Sequence, residues 1–567
     1  MRIIIAVAMF LLSTVLVLLG IAERTVWAPE PTKAISISID AARPFVIVPN
    51  SVLKLHSGTP VVKVAGPGHV YVATGREDDI RAWIGGSSKT EIAYDSKTKK
   101  LSSQSLEGVD PSADPTGSDL WRTERSALTK VSAKVDAGQG GAVLLASDGL
   151  SPAPDKLTIE WQRNYDLTPS NLLIYSGEAL LVITLIYNIF LFRSIRNSRR
   201  PRRRLPKAPH GPRSRPKRKE STLPRRGRRV AGRNYSWIPA TFVVVGLLSG
   251  CAPSSTAPTP TPTETSDSAS AAKPAALQMG QIRRIITSVS SVAKAGDTAH
   301  NSAALLPRFF GPALEMRDAA YNLIKKTRKA PALETIYSSP ITVSLPAATD
   351  QWPRTLMVVT GAQKKRLPIL LVLRQMHPRE QYQVWYSTTL VSGVKLPRVA
   401  AVADGAVPVP KDSAYLTEQP INLPTIYGEV IDKGSESLHF GKFALAQDSF
   451  YSQISKIQQD QLKSLTKAKL AYQHVLANDE PLGLATADGG ALVAVYMKDI
   501  TTIKPTKRNS GITVNTLEQV ILGAKGSIKG VVSTYGDMLL FYVPSVGQNS
   551  KITLLGWQAG LLKVKSL

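Results

Sequence analysis

A basic run in the middle of the chain, followed by an apolar segment and a cysteine, constrains the fold more than any other feature. Residues 193–233 hold 18 Lys and Arg against a single acid, Glu220. The apolar segment Trp237–Leu247 follows and leads to Cys251. An apolar segment this short cannot cross a bilayer as a lone helix, which takes about 20 residues. The stretch therefore predicts a membrane-bound point that separates two soluble parts of the chain.

The same stretch has the order of a bacterial lipoprotein signal: basic region, apolar core, small residues and then a cysteine. Leu248, Ser249 and Gly250, directly before Cys251, match the lipobox of such signals. Cys251 is the only cysteine in 567 residues, so it has no disulfide partner within the chain. We predict that residues 236–251 form a lipoprotein signal-like segment and that Cys251 is lipidated. The alternative is a marginal third membrane helix that holds an incidental thiol.

The formal net charge of +28 comes mostly from the basic run. Basic residues beside an apolar helix follow the positive-inside rule and are attracted to anionic headgroups by about 1 kcal/mol each. We therefore expect the lipid bilayer as a partner, with anionic headgroups at the loop 194–235. Aromatic residues do not interleave with the basic ones as nucleic-acid binding would favour, so we predict no nucleic-acid partner.

Two further apolar runs are long enough to span a bilayer. Residues 1–24 are predicted to form an N-terminal transmembrane anchor, with a cleavable signal peptide as the alternative. Residues 171–193 are predicted to form a second transmembrane helix, in which Glu178 is the one charged residue before Arg193. The positive-inside rule places the loop 194–235 in the cytoplasm. The soluble parts on both sides of it are then expected on the outer face of the cell membrane.

The predicted fold class is multidomain, with the transmembrane helices joined to soluble domains. Residues 33–165 read as an all-β, sandwich-like domain, since short β-branched runs alternate with Gly and Pro turn signals. Residues 252–276 form a Pro/Thr/Ser linker. Residues 277–430 and 431–567 are predicted as two α+β domains, each a repeat of helices on a curved antiparallel sheet. Within the second of these, a long helix is predicted over 443–477.

Motifs that carry known chemistry are missing from the sequence. No Asp-x-Asp pair occurs, which a sugar-nucleotide glycosyltransferase would use to hold a metal ion and diphosphate, and Asp78-Asp79 reads as a solvated turn. Asp537 reads as the close of a hairpin. The histidines show no His-x-x-x-His spacing for zinc, and a lipidated Cys251 leaves no cysteine nucleophile. We predict no catalytic, cofactor or metal site.

A set of longer stretches is distinctive in this sequence. One begins at Asp119-Leu120-Trp121, expected to contribute core or edge aromatics, and the others are VLLASDGLSPAPDKLTIEW, GPALEMRDAAYNL, TDQWPRTLMVVT, YQVWYSTTL, STYGDMLLFYVP and ITLLGWQAGLL. These stretches resemble an uncharacterised family of actinobacterial envelope membrane proteins and lipoproteins, whose members are sometimes labelled glycosyltransferases. The resemblance implies location in the cell envelope and supplies no catalytic residues.

These features predict a membrane-anchored extracytoplasmic envelope protein with a binding or scaffolding role. Its expected partners are the bilayer and cell-wall components or other envelope proteins. Two alternatives remain open: an enzyme or accessory protein of cell-wall glycan assembly, and a carrier of a small ligand.

Overall fold

The computed structural model describes residues 2–27, 32–39, 43–162, 168–198, 273–361, 366–477, 480–507 and 510–567. These residues form two compact units. The first contains residues 2–27 and 168–198. The second contains residues 32–162, termed the N-terminal body, and residues 273–567, termed the C-terminal body. The predicted basic loop, lipoprotein signal and linker lie almost entirely outside the described residues.

Both bodies of the second unit combine many strands with fewer helices. Along the chain, the helices are α1 (Arg2–Arg24), α2 (Asn50–Leu53), α3 (Glu77–Ile84), α4 (Thr168–Ser198), α5 (Met279–Ala299), α6 (Gly311–Lys326), α7 (Leu423–Lys433), α8 (Ser449–Ser464) and α9 (Thr516–Leu522). The strands of the N-terminal body are β1 (Thr32–Ser38), β2 (Phe45–Val48), β3 (Thr59–Ala65), β4 (Val70–Arg76), β5 (Lys89–Asp95), β6 (Lys100–Leu106), β7 (Thr123–Ala127), β8 (Lys130–Lys134), β9 (Gly141–Ala146) and β10 (Lys156–Gln162). The strands of the C-terminal body are β11 (Ile341–Pro346), β12 (Arg354–Thr360), β13 (Ile369–Gln375), β14 (Gln383–Leu390), β15 (Pro408–Val409), β16 (Ala468–Leu476), β17 (Leu482–Ala485), β18 (Ala491–Pro505), β19 (Ile512–Thr513), β20 (Gly526–Ser527), β21 (Val531–Val543) and β22 (Thr553–Ser566).

The first unit is a pair of long apolar helices, α1 and α4. By length and composition, Ile4–Arg24 and Thr168–Ser194 could each cross a membrane. The helices approach closely where they carry glycine. A Cβ at Gly20 would lie 2.6 Å from the side chain of Ile174, and one at Gly177 would lie 2.7 Å from that of Val17. Small residues at a helix contact are typical of membrane helix pairs, so this packing agrees with the two predicted spans.

The N-terminal body contains two β-sheets that share a hydrophobic core. One sheet has the order β1-β10-β3-β8 and the other β6-β5-β2-β9-β4-β7. Pairing is antiparallel except between β2 and β5. Trp161 is buried in the shared core, and its indole N–H donates to the Leu53 carbonyl at 2.7 Å. The predicted β-rich character is therefore present, while helix α3 departs from an all-β fold.

The C-terminal body is built on a ten-stranded antiparallel sheet with helices on both faces, and β19 and β20 form a small second sheet. The strand order is β11-β12-β13-β14-β22-β21-β18-β17-β15, and β16 pairs with the C-terminal half of β18, from Met497 to Pro505. Successive side chains of a strand point to opposite faces. Tyr496 and Leu540 accordingly pack in one core with α5 and α6, whereas Val495 and Leu539 pack in another with α7 and α8.

Two predictions for this region need revision. Strands from 277–430 and from 431–567 join in one sheet where β14 pairs with β22, so two separate sheet repeats are not confirmed. The long helix predicted over 443–477 is wrong, because α8 ends at Ser464 and strand β16 follows. The side chains of β16 alternate between exposed and half-buried, which is the period of a strand that covers a core with one face.

Candidate functional site

Two acidic side chains are buried side by side on the sheet of the C-terminal body. Asp499 lies on β18 opposite Tyr535, and Asp537 lies on β21 opposite Met497. This register places both carboxyl groups on the face that carries α7 and α8, as diagonal neighbours. Asp499 is 7% exposed and Asp537 is 1% exposed. Buried carboxyl groups are costly unless they are paired, so their surroundings decide what they do.

A histidine from the next strand joins this pair. His474 on β16 lies opposite Asp499, and its side chain is 1% exposed. The His474 Nε2 atom is 3.0 Å from Oδ1 of Asp432 on α7, and the Gln458 side chain donates to the same oxygen at 3.3 Å. Gly428 permits this contact, since a Cβ there would lie 2.5 Å from Cβ of His474. Helix α7 therefore rests directly on β16 and brings Asp432 to the imidazole.

The two acids open into a cavity of about 410 Å³ between the sheet and helices α8 and α9. Apolar side chains from both helices and from β22 form part of its wall. Among the described residues that line it, Asp499, Glu518 and Asp537 are acidic and none is Lys or Arg. The lining also includes the aromatic residues Tyr472, Tyr535 and Trp557. A cavity with apolar walls and a few convergent polar groups is the usual form of a small-molecule site.

Each of the two aspartates in this cavity has a carboxyl oxygen without a hydrogen-bond partner among the described residues. Asp499 Oδ1 and Asp537 Oδ2 are buried and have no hydrogen-bond partner within the described part of the chain. Burial raises the pKa of Asp537 well above its ordinary value, and the neighbouring charge of Asp499 adds to the effect. Burial also raises the pKa of Asp499, although the charge of His474 opposes it. Both carboxyl groups thus tend to hold a proton unless a donor or a cation arrives.

The acidic neighbours of His474 decide its charge state. Burial lowers its pKa, but the hydrogen bond with Asp432 and the charges of Asp499 and Asp432 outweigh burial, so the net pKa is raised. The imidazolium form is therefore favoured, and it compensates one carboxylate of the cluster. Acids still outnumber bases around the cavity.

Several of the remaining polar groups of the wall hydrogen-bond to one another. The Tyr472 hydroxyl donates to Gln461 Oε1 at 2.8 Å, and the Tyr535 hydroxyl donates to Glu518 Oε1 at 3.3 Å. Glu518 also accepts from the backbone N–H of Asn515 at 3.1 Å, in the capping box that begins α9. These residues fix the shape of the cavity and leave Asp499 and Asp537 as its unsatisfied groups.

A larger and more open groove of about 850 Å³ adjoins the cavity. The two share the lining residues Pro331, Trp557 and Ala559. Glu334 lies in the groove, where burial raises its pKa and the Thr389 hydroxyl donates to it. A molecule entering along the groove therefore meets mostly apolar surface before it reaches the acids.

The residues singled out in the sequence have different outcomes in the structure. Cys251 and its lipobox residues Leu248, Ser249 and Gly250 lie outside the described residues. The interpretation of Asp78-Asp79 as a solvated turn is wrong for Asp79, which lies in α3, is 1% exposed and pairs with Arg354. In the described ranges, no group of three or more His, Cys, Asp or Glu is arranged to hold a metal ion.

The interpretation of Asp537 as the close of a hairpin is also wrong. Asp537 lies in the middle of the 13-residue strand β21. Sequence reasoning missed it because Tyr535-Gly536-Asp537 has the composition of a turn. The available signal was the unbroken apolar run that follows, Met538–Val543, since a lone acid next to such a run can lie within the same buried strand.

Comparison with known proteins places the C-terminal body in a family. A family model described as "Domain of unknown function (DUF8094)" matches residues 273–566, just over half of the chain. The chain belongs to this family. An uncharacterized lipoprotein of Streptomyces avermitilis is 29% identical over 176 residues, which cover 29% of this chain and 49% of the relative. The chain thus spans about half the length of that relative. No solved structure matches.

These comparisons fit an envelope protein of unknown role that is related to an actinobacterial lipoprotein. Together with the two apolar helices, they indicate association with a membrane. Neither description mentions glycosyl transfer, so the glycosyltransferase label is unsupported. The cavity lies within the DUF8094 match and is the best-formed candidate site in that domain.

Proposed function

We propose that the protein is a membrane-anchored envelope protein whose DUF8094 domain binds a small amphipathic molecule on the outer face of the membrane. In this proposal α1 and α4 span the bilayer, the loop 194–235 is cytoplasmic, and Cys251 carries lipid. The support for this orientation is the positive-inside rule and the lipobox, which agree independently. The binding role is the small-ligand alternative of the sequence, now attached to a defined cavity.

One observation supports the binding role. Two carboxyl groups that are shielded from bulk solvent line the cavity with unpaired oxygens, and none of its described lining residues is Lys or Arg. A ligand with an ammonium group would supply both the missing donors and the missing charge. Its apolar part would lie against α8, α9 and Trp557. The ligand class is therefore an amphipathic amine.

Matched probes test this proposal directly. Phenethylamine, 2-phenylethanol and 3-phenylpropionate share an aromatic ring and differ in their polar group. In calorimetric titration of the full chain in lipid nanodiscs, the amine is expected to bind most tightly and the carboxylate most weakly. Asp537→Asn should weaken binding of the amine about tenfold or more, because a hydrogen bond to a charged group contributes about 1.5–3 kcal/mol.

Two variants serve as controls. Ala559 is an exposed residue of the cavity rim, so Ala559→Trp fills the space without entering the core and should abolish binding. Asp318 is an exposed acid on α6, and Asp318→Asn should leave binding unchanged. Equal binding of the three probes, or amine binding that survives Ala559→Trp, would contradict the proposal.

A further inference from the structure

Two buried ion pairs join the N-terminal and C-terminal bodies. Arg354 Nη2 donates to Asp79 Oδ1 at 2.7 Å, and the two side chains are 0% and 1% exposed. Arg308 donates through both Nη atoms to both carboxylate oxygens of Asp119, at 2.6 and 3.2 Å, with side chains 5% and 7% exposed. Bidentate, charge-assisted bonds of this kind combine strength with a fixed geometry. In both pairs the cation belongs to the C-terminal body and the carboxylate to the N-terminal body.

A third arginine, Arg379, hydrogen-bonds to the C-terminal end of helix α3. Arg379 donates to the carbonyls of Trp83 at 2.8 Å, Pro111 at 2.9 Å and Ile84 at 2.9 Å, and to the Ser87 hydroxyl at 2.8 Å. Trp83 and Ile84 are the last two residues of α3, whose carbonyls have no partner within the helix. A cation at this end also complements the helix dipole. The C-terminal body thus supplies hydrogen-bond donors to the last carbonyl groups of a helix in the N-terminal body.

Helix α5 adds donors to the loop around Asp119. The Gln281 side chain donates to the carbonyls of Asp119 and Leu120, each at 3.0 Å. Arg284 donates to the carbonyl of Arg122 at 3.0 Å and also to that of Trp121. Arg76 bonds in the other direction, to the carbonyl of Ala275 at 3.3 Å. The two surfaces are therefore complementary, since donors of the C-terminal body meet acceptors of the N-terminal body at most of these contacts.

A long stretch of chain separates the two bodies that meet at this interface. The N-terminal body ends at residue 162 and the C-terminal body begins at 273, with α4 and the predicted signal segment 236–251 between them. We infer that the interface is sufficient on its own to hold the two bodies together after the chain between them is cut. The partner of the DUF8094 domain is then the β-rich N-terminal body, whether the two are one polypeptide or two. This inference does not depend on ligand binding.

A cleavable version of the full chain tests it. A protease site is introduced into the tract 252–272, an affinity tag is placed at the C terminus, and the detergent-solubilised protein is cut on the column. The N-terminal piece, with both membrane helices, is expected to stay with the tagged piece through washing. Its release from the wild-type interface would overturn the inference.

Variants locate the interaction. Arg354→Ala should increase the release rate of the N-terminal piece about tenfold or more, because it removes the cation that donates to the buried Asp79 carboxylate across the interface. Arg379→Ala removes donors nearer the rim and should give a smaller increase; this variant keeps the test valid if Arg354→Ala does not fold. The matched control is Arg81→Ala with Glu91→Ala, which removes the Arg81–Glu91 pair and the bond of Arg81 to Glu77, all inside the N-terminal body. Release from the control as fast as from Arg354→Ala would also overturn the assignment.

Discussion

The interface and the cavity treat buried acids in opposite ways. At the interface, Asp79 and Asp119 are each paired with an arginine from the other body. In the cavity, Asp499 and Asp537 keep unpaired oxygens, and burial raises the pKa of both. The charge of His474 offsets only part of this increase for Asp499, and no Lys or Arg is among the described lining residues. A buried acid with its cation is part of the structure, whereas a buried acid without one is destabilising and suggests a site that awaits a ligand. The contrast separates residues that hold the fold from residues that act on something else.

The largest effect is expected from breaking an interface pair. Arg354→Ala removes the hydrogen-bonded cation of Asp79 and leaves it only the more distant Arg76, whose Nε is 4.0 Å away. Removal of one partner of a buried pair costs about 3–5 kcal/mol. The free energy of unfolding, measured by urea titration with tryptophan fluorescence, should fall by about that amount. Arg81→Ala breaks two partly exposed pairs, with Glu77 and Glu91, each of which contributes about 1 kcal/mol or less. Similar losses for the two variants would remove the distinction drawn for the interface.

Replacement of an acid of the cavity should raise the free energy of unfolding, whereas breaking an interface pair lowers it. Asp537→Leu replaces a carboxyl group that has an unpaired oxygen by an apolar side chain of similar size, next to the apolar run of β21. We expect the free energy of unfolding to rise by about 1 kcal/mol, because the cost of burying an unsatisfied polar group is removed. Binding of phenethylamine should be lost in the same variant. A variant that is both less stable and still able to bind would show that Asp537 is structural.

The most gradual effect is the pH dependence of stability. For Asp499 and Asp537 the folded pKa lies above the unfolded value of 3.8, so between those values the folded state holds protons that the unfolded state has lost. His474 acts in the same direction above 6.5, where its folded pKa is also raised. Stability should therefore fall as pH rises from about 4, by at most about 1.4 kcal/mol per pH unit and group.

The Asp537→Asn variant isolates one contribution to this slope. Urea titrations at pH 5 and pH 8 should differ less in the variant than in the wild type. Asp318→Asn, which removes an exposed acid on α6, should keep the wild-type difference. An unchanged slope in Asp537→Asn would mean that its carboxyl group does not hold the proton assigned to it.

Local sequence patterns predicted much of the architecture but few of its polar contacts. The apolar runs identified α1 and α4, and β-branched runs identified the strands of the N-terminal body except β5, β6 and β7. Asp79 was misread because its partner, Arg354, is 275 residues away in sequence, and the local letters resemble a solvated turn. The signal for β16 was present in its alternation, yet the polar residues around it favoured the continuation of helix α8. Pairings over such distances follow from tertiary packing, which a local pattern does not encode.

The two bodies of the second unit are separated in sequence by residues 163–272. The length of this connection bears on how strong their interface has to be. A short flexible tether gives joined domains an effective concentration in the millimolar range, and the value falls as the tether lengthens. The connection here is long and includes α4, so the tether contributes less to holding the bodies together. The arginines that meet Asp79, Asp119 and the end of α3 are contacts of the kind that also hold two independent molecules in a fixed geometry.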